Sequence, residues 1–144
     1  VSTNAISLFF ACALIGKFLF GLLSDALDQR RVFFGNLLVM FVGALILAQM
    51  KMSLVWGAMV LFGLGWGGVY TLLQLTVMNR FGVRDAGKIL GTITILDAIG
   101  GGLGIWLTGV LYDSLGSYSV AFMIFCGLIS VALVALTQVN TRKA

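Results

Sequence analysis

The sequence predicts an all-α integral membrane protein, a bundle of five transmembrane helices built on inverted three-helix repeats. Three observations carry this. The 144 residues are 60% hydrophobic and only 10% charged, with a mean hydropathy of +1.11; a soluble domain of this size leaves too much surface exposed to hide that many apolar side chains. The apolar residues fall into runs of roughly 20, long enough to cross a hydrocarbon core as a helix. Finally, the pattern G-x-x-L-x-G-x-L-x-D-x-L occurs twice, 88 positions apart: Gly16, Leu19, Gly21, Leu23, Asp25 and Leu27 match Gly104, Leu107, Gly109, Leu111, Asp113 and Leu115. An internal repeat of this kind marks duplicated units in membrane proteins.

The first helix is expected over about 4–23, where the apolar run stops at Ser24 and Asp25. The second covers about 32–50, starting after the Arg30-Arg31 pair and ending before Lys51. The third runs over about 54–78 and the fourth over about 89–111, separated by the polar stretch 79–88. The fifth covers about 119–137, after the Gly116-containing turn. Short connections make consecutive helices antiparallel neighbours.

Direction follows from Lys and Arg. Arg30, Arg31, Arg80, Arg84, Lys88, Arg142 and Lys143 fall on one side, and Lys51 alone on the other. This places the N-terminus of the chain outside and its C-terminus in the cytoplasm, with Trp56, Tyr112 and Tyr118 as aromatic anchors at the outer boundary. Arg30 and Arg31 open a helix, where the macrodipole disfavours cations, so their placement speaks for topology or docking. With directions assigned, the two copies of the repeat run oppositely through the membrane, and the offset also pairs the second helix with the fifth. The partner of the third helix would precede residue 1, so one more helix is expected upstream.

Several chemistries are excluded within this stretch. It has no His and no Glu, no nucleophile–base set and no metal-ligand spacing. Cys12 and Cys126 sit inside apolar segments as small apolar residues. The stretches Gly63–Gly68 and Gly100–Gly104 read as helix-packing and hinge surfaces, not as nucleotide loops, since no strand precedes them. No cofactor, no metal, no enzymatic activity and no nucleic-acid partner are expected.

The stretch Gly21-Leu-Leu-Ser-Asp25-Ala-Leu-Asp28-Gln-Arg30-Arg31 resembles the G-x-x-x-D-(R/K)-x-G-(R/K)-(R/K) motif of the major facilitator superfamily. The stretch Gly104-Ile-Trp-Leu-Thr-Gly109-Val-Leu-Tyr-Asp113-Ser-Leu-Gly116-Ser-Tyr resembles the end of that family's eleventh helix. Ala26 and Asp28 depart from the first pattern, the Arg pair sits one position late, and Ile105 stands where proline is common. The resemblance implies that 1–144 is a partial C-terminal half-bundle, helices eight to twelve of a secondary transporter. It further implies a missing N-terminal half and a setting in a bacterial inner (plasma) membrane. Gly21, Asp25, Arg30 and Arg31 would then form a conformational latch, with Asp25 accepting hydrogen bonds or pairing with a cation in one state only.

Candidate solute-binding residues emerge from polarity, because a polar group inside a membrane is costly enough to need a reason. Asp97 lies near the middle of the fourth helix, in a stripe with Thr94, Gly101, Gly104 and Thr108. Lys17 lies two turns before Asp25. It either snorkels to the interface or enters a central cavity, and the resemblance to monocarboxylate and oxalate:formate transporters supports the second. The third helix offers a face of Gly63, Gly67, Tyr70, Thr71 and Gln74, and Gly109 belongs with the packing glycines. Lys17, Asp97, Tyr70 and Gln74 are thus expected at a solute site, with Asp97 the proton-coupling group and a Lys17–Asp97 pair opened by a monoanion or a proton. The expected function is alternating-access transport of a small solute, a proton-coupled organic anion such as a monocarboxylate. The alternatives are proton-coupled efflux of a cationic or drug-like solute, and a non-transporting sensor or assembly subunit.

Overall fold

The computed structural model describes residues 2–49 and 51–138. It is helical throughout, with α1 at Ser2–Ala26, α2 at Gln29–Ala48, α3 at Val55–Leu115 and α4 at Ser119–Gln138. All four are long and apolar enough to cross a membrane. Met50, Arg142 and Lys143, to which the sequence assigned a helix end and two cytoplasmic charges, lie outside the described residues.

The main departure from expectation is α3. The stretch 79–88, read as a loop, is helical except at one residue. Gly82 has φ 77° and ψ 165°, a region of backbone space that essentially only glycine occupies. The remaining residues of the stretch include no proline and several good helix formers, and their charges are compatible with a helix extended beyond the hydrocarbon core. A straight helix of this length would measure about 90 Å, three times the core thickness of roughly 30 Å. Gly82 instead divides it into two arms, 55–81 and 83–115. The hydroxyl of Tyr70 reaches Asp97 on the other arm, so the arms fold back alongside each other.

The first arm forms the centre of the packing, and its glycines let two helices approach at once. Gly63 and Gly67 face α1: a Cβ on Gly63 would lie 2.8 Å from the Phe9 carbonyl oxygen, and one on Gly67 would overlap the Ala13 carbonyl. Gly65 and Gly68 face α2, against Met40 and Asn36. Gly16 of α1 returns the contact on Leu64, and Gly43 of α2 meets the backbone of Phe62. Small residues at such crossings supply van der Waals contact where no hydrophobic drive exists between helices. Leu72 and Asn36 are fully buried in this centre. The Asn36 amide donates to the Gly65 carbonyl at 3.0 Å.

The fourth helix lies on α2 through Ala44, Cys126 and Ile129. The connection before it is capped by Gly116, left-handed at φ 65°, whose N–H donates to the Tyr112 carbonyl at 2.8 Å. Across that turn Tyr112 and Tyr118 stack at 4.3 Å. Outward faces carry exposed apolar side chains, among them Phe18, Leu22, Trp106, Met123 and Val131, a surface that a bilayer would cover.

The ends of the bundle are tied differently. At one end Gln29 donates to Thr76 (3.0 Å) and accepts from Asn79 (2.9 Å). This brings the α1–α2 turn beside the end of the first arm, and Arg30, Arg31, Arg80 and Arg84 gather there. At the other end Ser119 donates to the Ala48 carbonyl at 2.8 Å, close to Lys51. Asp25 and Asp113, the two repeat carboxylates, therefore lie at opposite ends.

Candidate functional site

A cavity of about 160 Å³ opens between the two arms of α3, closed on a third side by Met40 of α2. The first arm contributes Trp66, Val69, Tyr70, Leu73 and Gln74, and the second Leu90, Ile93, Thr94 and Asp97. Helical spacing explains both sets: 66, 70 and 74 recur every four residues, as do 90 and 94, and 93 and 97. Gly82 supplies the reversal that turns these two stripes towards each other.

One hydrogen bond joins the arms across the cavity. The Tyr70 hydroxyl donates to Asp97 Oδ2 at 2.6 Å, the short distance typical of an O–H bond to a carboxylate. Both residues are exposed at the cavity mouth. Asp97 lies about 21 Å along the second arm at 1.5 Å per residue, near its middle. An aromatic row runs behind Tyr70: Trp66 meets Tyr70 edge-to-face at 5.8 Å, Phe62 lies 6.4 Å from Trp66, and Phe9 of α1 lies 6.0 Å from Phe62.

The structure brings three of the four expected solute residues together, since Tyr70, Gln74 and Asp97 share this cavity. Lys17 is not among its lining residues. It is exposed on α1, and no ion pair joins it to Asp97; the Tyr70 hydroxyl takes the place expected for an ammonium. The face expected on the third helix also divides. Tyr70 and Gln74 turn to the cavity, whereas Gly63 and Gly67 turn to α1 and Thr71 lies near Gly21.

The expected latch residues gather at the end tied by Gln29, but with other partners. Asp25 is exposed in the last turn of α1. Asp28, the residue before α2, pairs with Arg31 at 3.9 Å, and Arg30 donates to the Thr137 carbonyl of α4. A Cβ on Gly21 would make ordinary contact with Thr71, 3.5 Å away. Gly101, Gly104 and Gly109 have open space where a Cβ would stand. Gly104 borders a second, apolar groove with Thr108, Leu111 and Leu128.

Sequence reasoning missed Trp66 and the Gln29–Thr76–Asn79 cluster. Trp66 carried a signal, since it precedes Tyr70 and Gln74 by one and two turns. The cluster carried none, because it depends on α3 continuing as helix past residue 78. Among the described residues no group of three or more His, Cys, Asp or Glu side chains could hold a metal ion.

The sequence matches the family model described as Major Facilitator Superfamily over residues 2–143. Comparison with curated proteins and with solved structures returned no match.

Proposed function

The chain belongs to the major facilitator superfamily and is a multi-pass membrane protein of secondary-transporter type; on that premise we propose that its solute site is the cavity between the arms of α3. The observation that carries this is the Tyr70–Asp97 hydrogen bond, which sets the cavity's one carboxylate against a neutral donor on the opposing wall. A carboxylate at mid-span needs a counter-charge or a proton, and no basic residue lines this cavity. Asp97 is therefore the group that takes up a proton or a positively charged solute when the cavity is closed to water. Its facing polar groups are Tyr70, Gln74 and Thr94.

The cavity bears on the solute as well. An organic anion such as a monocarboxylate would meet Asp97 with no cation beside it, because Lys17 stands elsewhere. A cationic or neutral solute exchanged for protons suits the lining better. Gln74 and Thr94 offer hydrogen bonds to such a solute, and Met40, Val69 and Leu73 offer apolar contact. Alternating access supplies the motion: the opposing bundle rocks past this wall, and the occupancy of Asp97 biases which side is open.

The test is proton flux in liposomes containing the full-length protein and an internal pH dye, challenged with panels of organic cations, neutral solutes and organic anions. Saturable, solute-driven proton movement that Asp97→Asn abolishes and Lys17→Ala spares is the expected result. Flux that survives Asp97→Asn with its pH dependence intact, or that requires Lys17 and admits only anions, would overturn the assignment. Complete lack of flux with every solute would favour a non-transporting sensor or assembly subunit.

A further inference from the structure

Resting on the reading of this cavity as the solute site, we propose that Trp66, Tyr70 and Asp97 form a head-group subsite for an organic monocation of the alkylammonium type, with Trp66 setting the selectivity. The three side chains line one cavity, and Trp66 stands one helical turn from Tyr70. Their rings meet edge-to-face at 5.8 Å, and the Tyr70 hydroxyl touches the carboxylate at 2.6 Å. An aromatic pair adjoining a single carboxylate is the chemistry that recognises a quaternary or alkylated ammonium, since the ring faces attract cations and tryptophan does so best. The carboxylate contributes the compensating charge.

Other cations fit poorly. A hydrated metal ion needs several oxygen ligands, whereas the rest of the lining is mainly apolar and only one carboxylate is present. A guanidinium brings several N–H donors in a fixed plane, and beside Asp97 this mainly apolar lining offers it few acceptors. Size points the same way. At about 160 Å³ the cavity is smaller than the ~300–1,000 Å³ of pockets that enclose a whole drug-sized ligand. It therefore seats a compact charged group, with any larger body lying outside. The aromatic row through Phe62 and Phe9 buttresses Trp66 from behind, which fixes the ring in the absence of solute and lowers the ordering cost of binding.

Two measurements on the full-length protein test this, with tetraethylammonium as the probe. In a variant keeping Trp66 as its one tryptophan within this stretch (Trp56→Phe, Trp106→Phe), tetraethylammonium should change the Trp66 fluorescence saturably, and lactate should not. Equilibrium binding of tetraethylammonium should weaken about tenfold in Trp66→Leu, and Trp66→Phe should recover most of the loss, as a ring-face interaction requires. Unchanged affinity in Trp66→Leu, or an equal fluorescence response to lactate, would overturn the proposal. The outcomes separate from those of the transport reading. Solute-driven proton flux indifferent to tetraethylammonium and to Trp66 would remove the ammonium subsite and leave transport standing. Trp66-dependent tetraethylammonium binding without proton flux would support the subsite and remove the proton-coupled reading of the cavity.

Discussion

Replacing Gly67 by alanine adds one methyl group where the first arm of α3 crosses α1. That methyl would overlap the Ala13 carbonyl and lie within 2.9 Å of the Ala13 Cα. The obstacle is backbone, so no rotamer change relieves it; the two helices must separate, and the contacts of Gly63 and Gly16 along the same seam loosen with them. Overpacking of this kind costs about 1–3 kcal/mol, and an immovable obstacle puts Gly67 at the upper end. Against this, alanine gains about 1 kcal/mol over glycine in helix propensity, leaving a net loss of about 2 kcal/mol. Gly127 of α4 is the control. It is a mid-helix glycine with nothing within 4 Å of a Cβ, so Gly127→Ala keeps only the propensity gain of about 1 kcal/mol. The assay is the thermal midpoint of the detergent-solubilised full-length protein, followed by fluorescence-detected size exclusion. Gly67→Ala should melt several degrees below the parent and Gly127→Ala at or slightly above it. Ala13→Gly should fail to rescue Gly67→Ala, because the carbonyl remains. A Gly67→Ala protein as stable as Gly127→Ala, or one restored by Ala13→Gly, would refute the argument.

Three further outcomes are expected. Tyr70→Phe removes the donor to Asp97; losing a hydrogen bond to a charged group costs about 1.5–3 kcal/mol, so the flux attributed to the cavity should fall about tenfold or more in the liposome assay. Gln29→Leu breaks the contacts to Thr76 and Asn79 and should lower the thermal midpoint by the equivalent of about 1–2 kcal/mol, without changing tetraethylammonium binding. Asn36→Ala removes the donor to the Gly65 carbonyl. Interhelical hydrogen bonds in membranes average about 0.6 kcal/mol, so denaturant titration should show a smaller loss than for Gly67→Ala, although Asn36 is fully buried.

The bundle was legible because its determinants are local. Runs of roughly 20 apolar residues fix where helices lie, and Gly116 with the flanking Tyr112 and Tyr118 announced the last turn. Helix continuity through 79–88 was not legible. Hydropathy reports where chain leaves the hydrocarbon, and a helix can continue into water without changing that signal; only the dihedral angles of Gly82 reveal a break confined to one residue. At the site, Tyr70, Gln74 and Asp97 stood out because each is a polar group in an apolar segment. The fate of Lys17 was hidden, since two turns from a helix end its long side chain fits either a cavity or an interface, and hydropathy carries no interhelical rotation. Trp66 carried only the signal of its spacing before Tyr70 and Gln74, since an apolar ring in an apolar helix gives no contrast in polarity. The division of the third-helix face was hidden because Gly63, Gly67 and Thr71, which meet α1, lie only about 60° round the helix from the stripe of Trp66, Tyr70 and Gln74 at the cavity. Sequence spacing alone does not assign so small an angle to different neighbours.

The single-residue break at Gly82 has a practical consequence for anyone labelling this protein. A hydropathy plot recommends 79–88 as the place for an epitope, a fluorophore-bearing insertion or a crystallisation partner. Here that stretch has no slack. Every residue inserted within helix on either side of Gly82 rotates the downstream arm by about 100° and advances it about 1.5 Å, so one added residue would swing Asp97 away from Tyr70. An insertion tolerated there by ordinary loops would scramble the cavity while leaving membrane insertion and expression intact. Tags belong instead in the turn at 51–54, where the chain is exposed and no cavity residue lies.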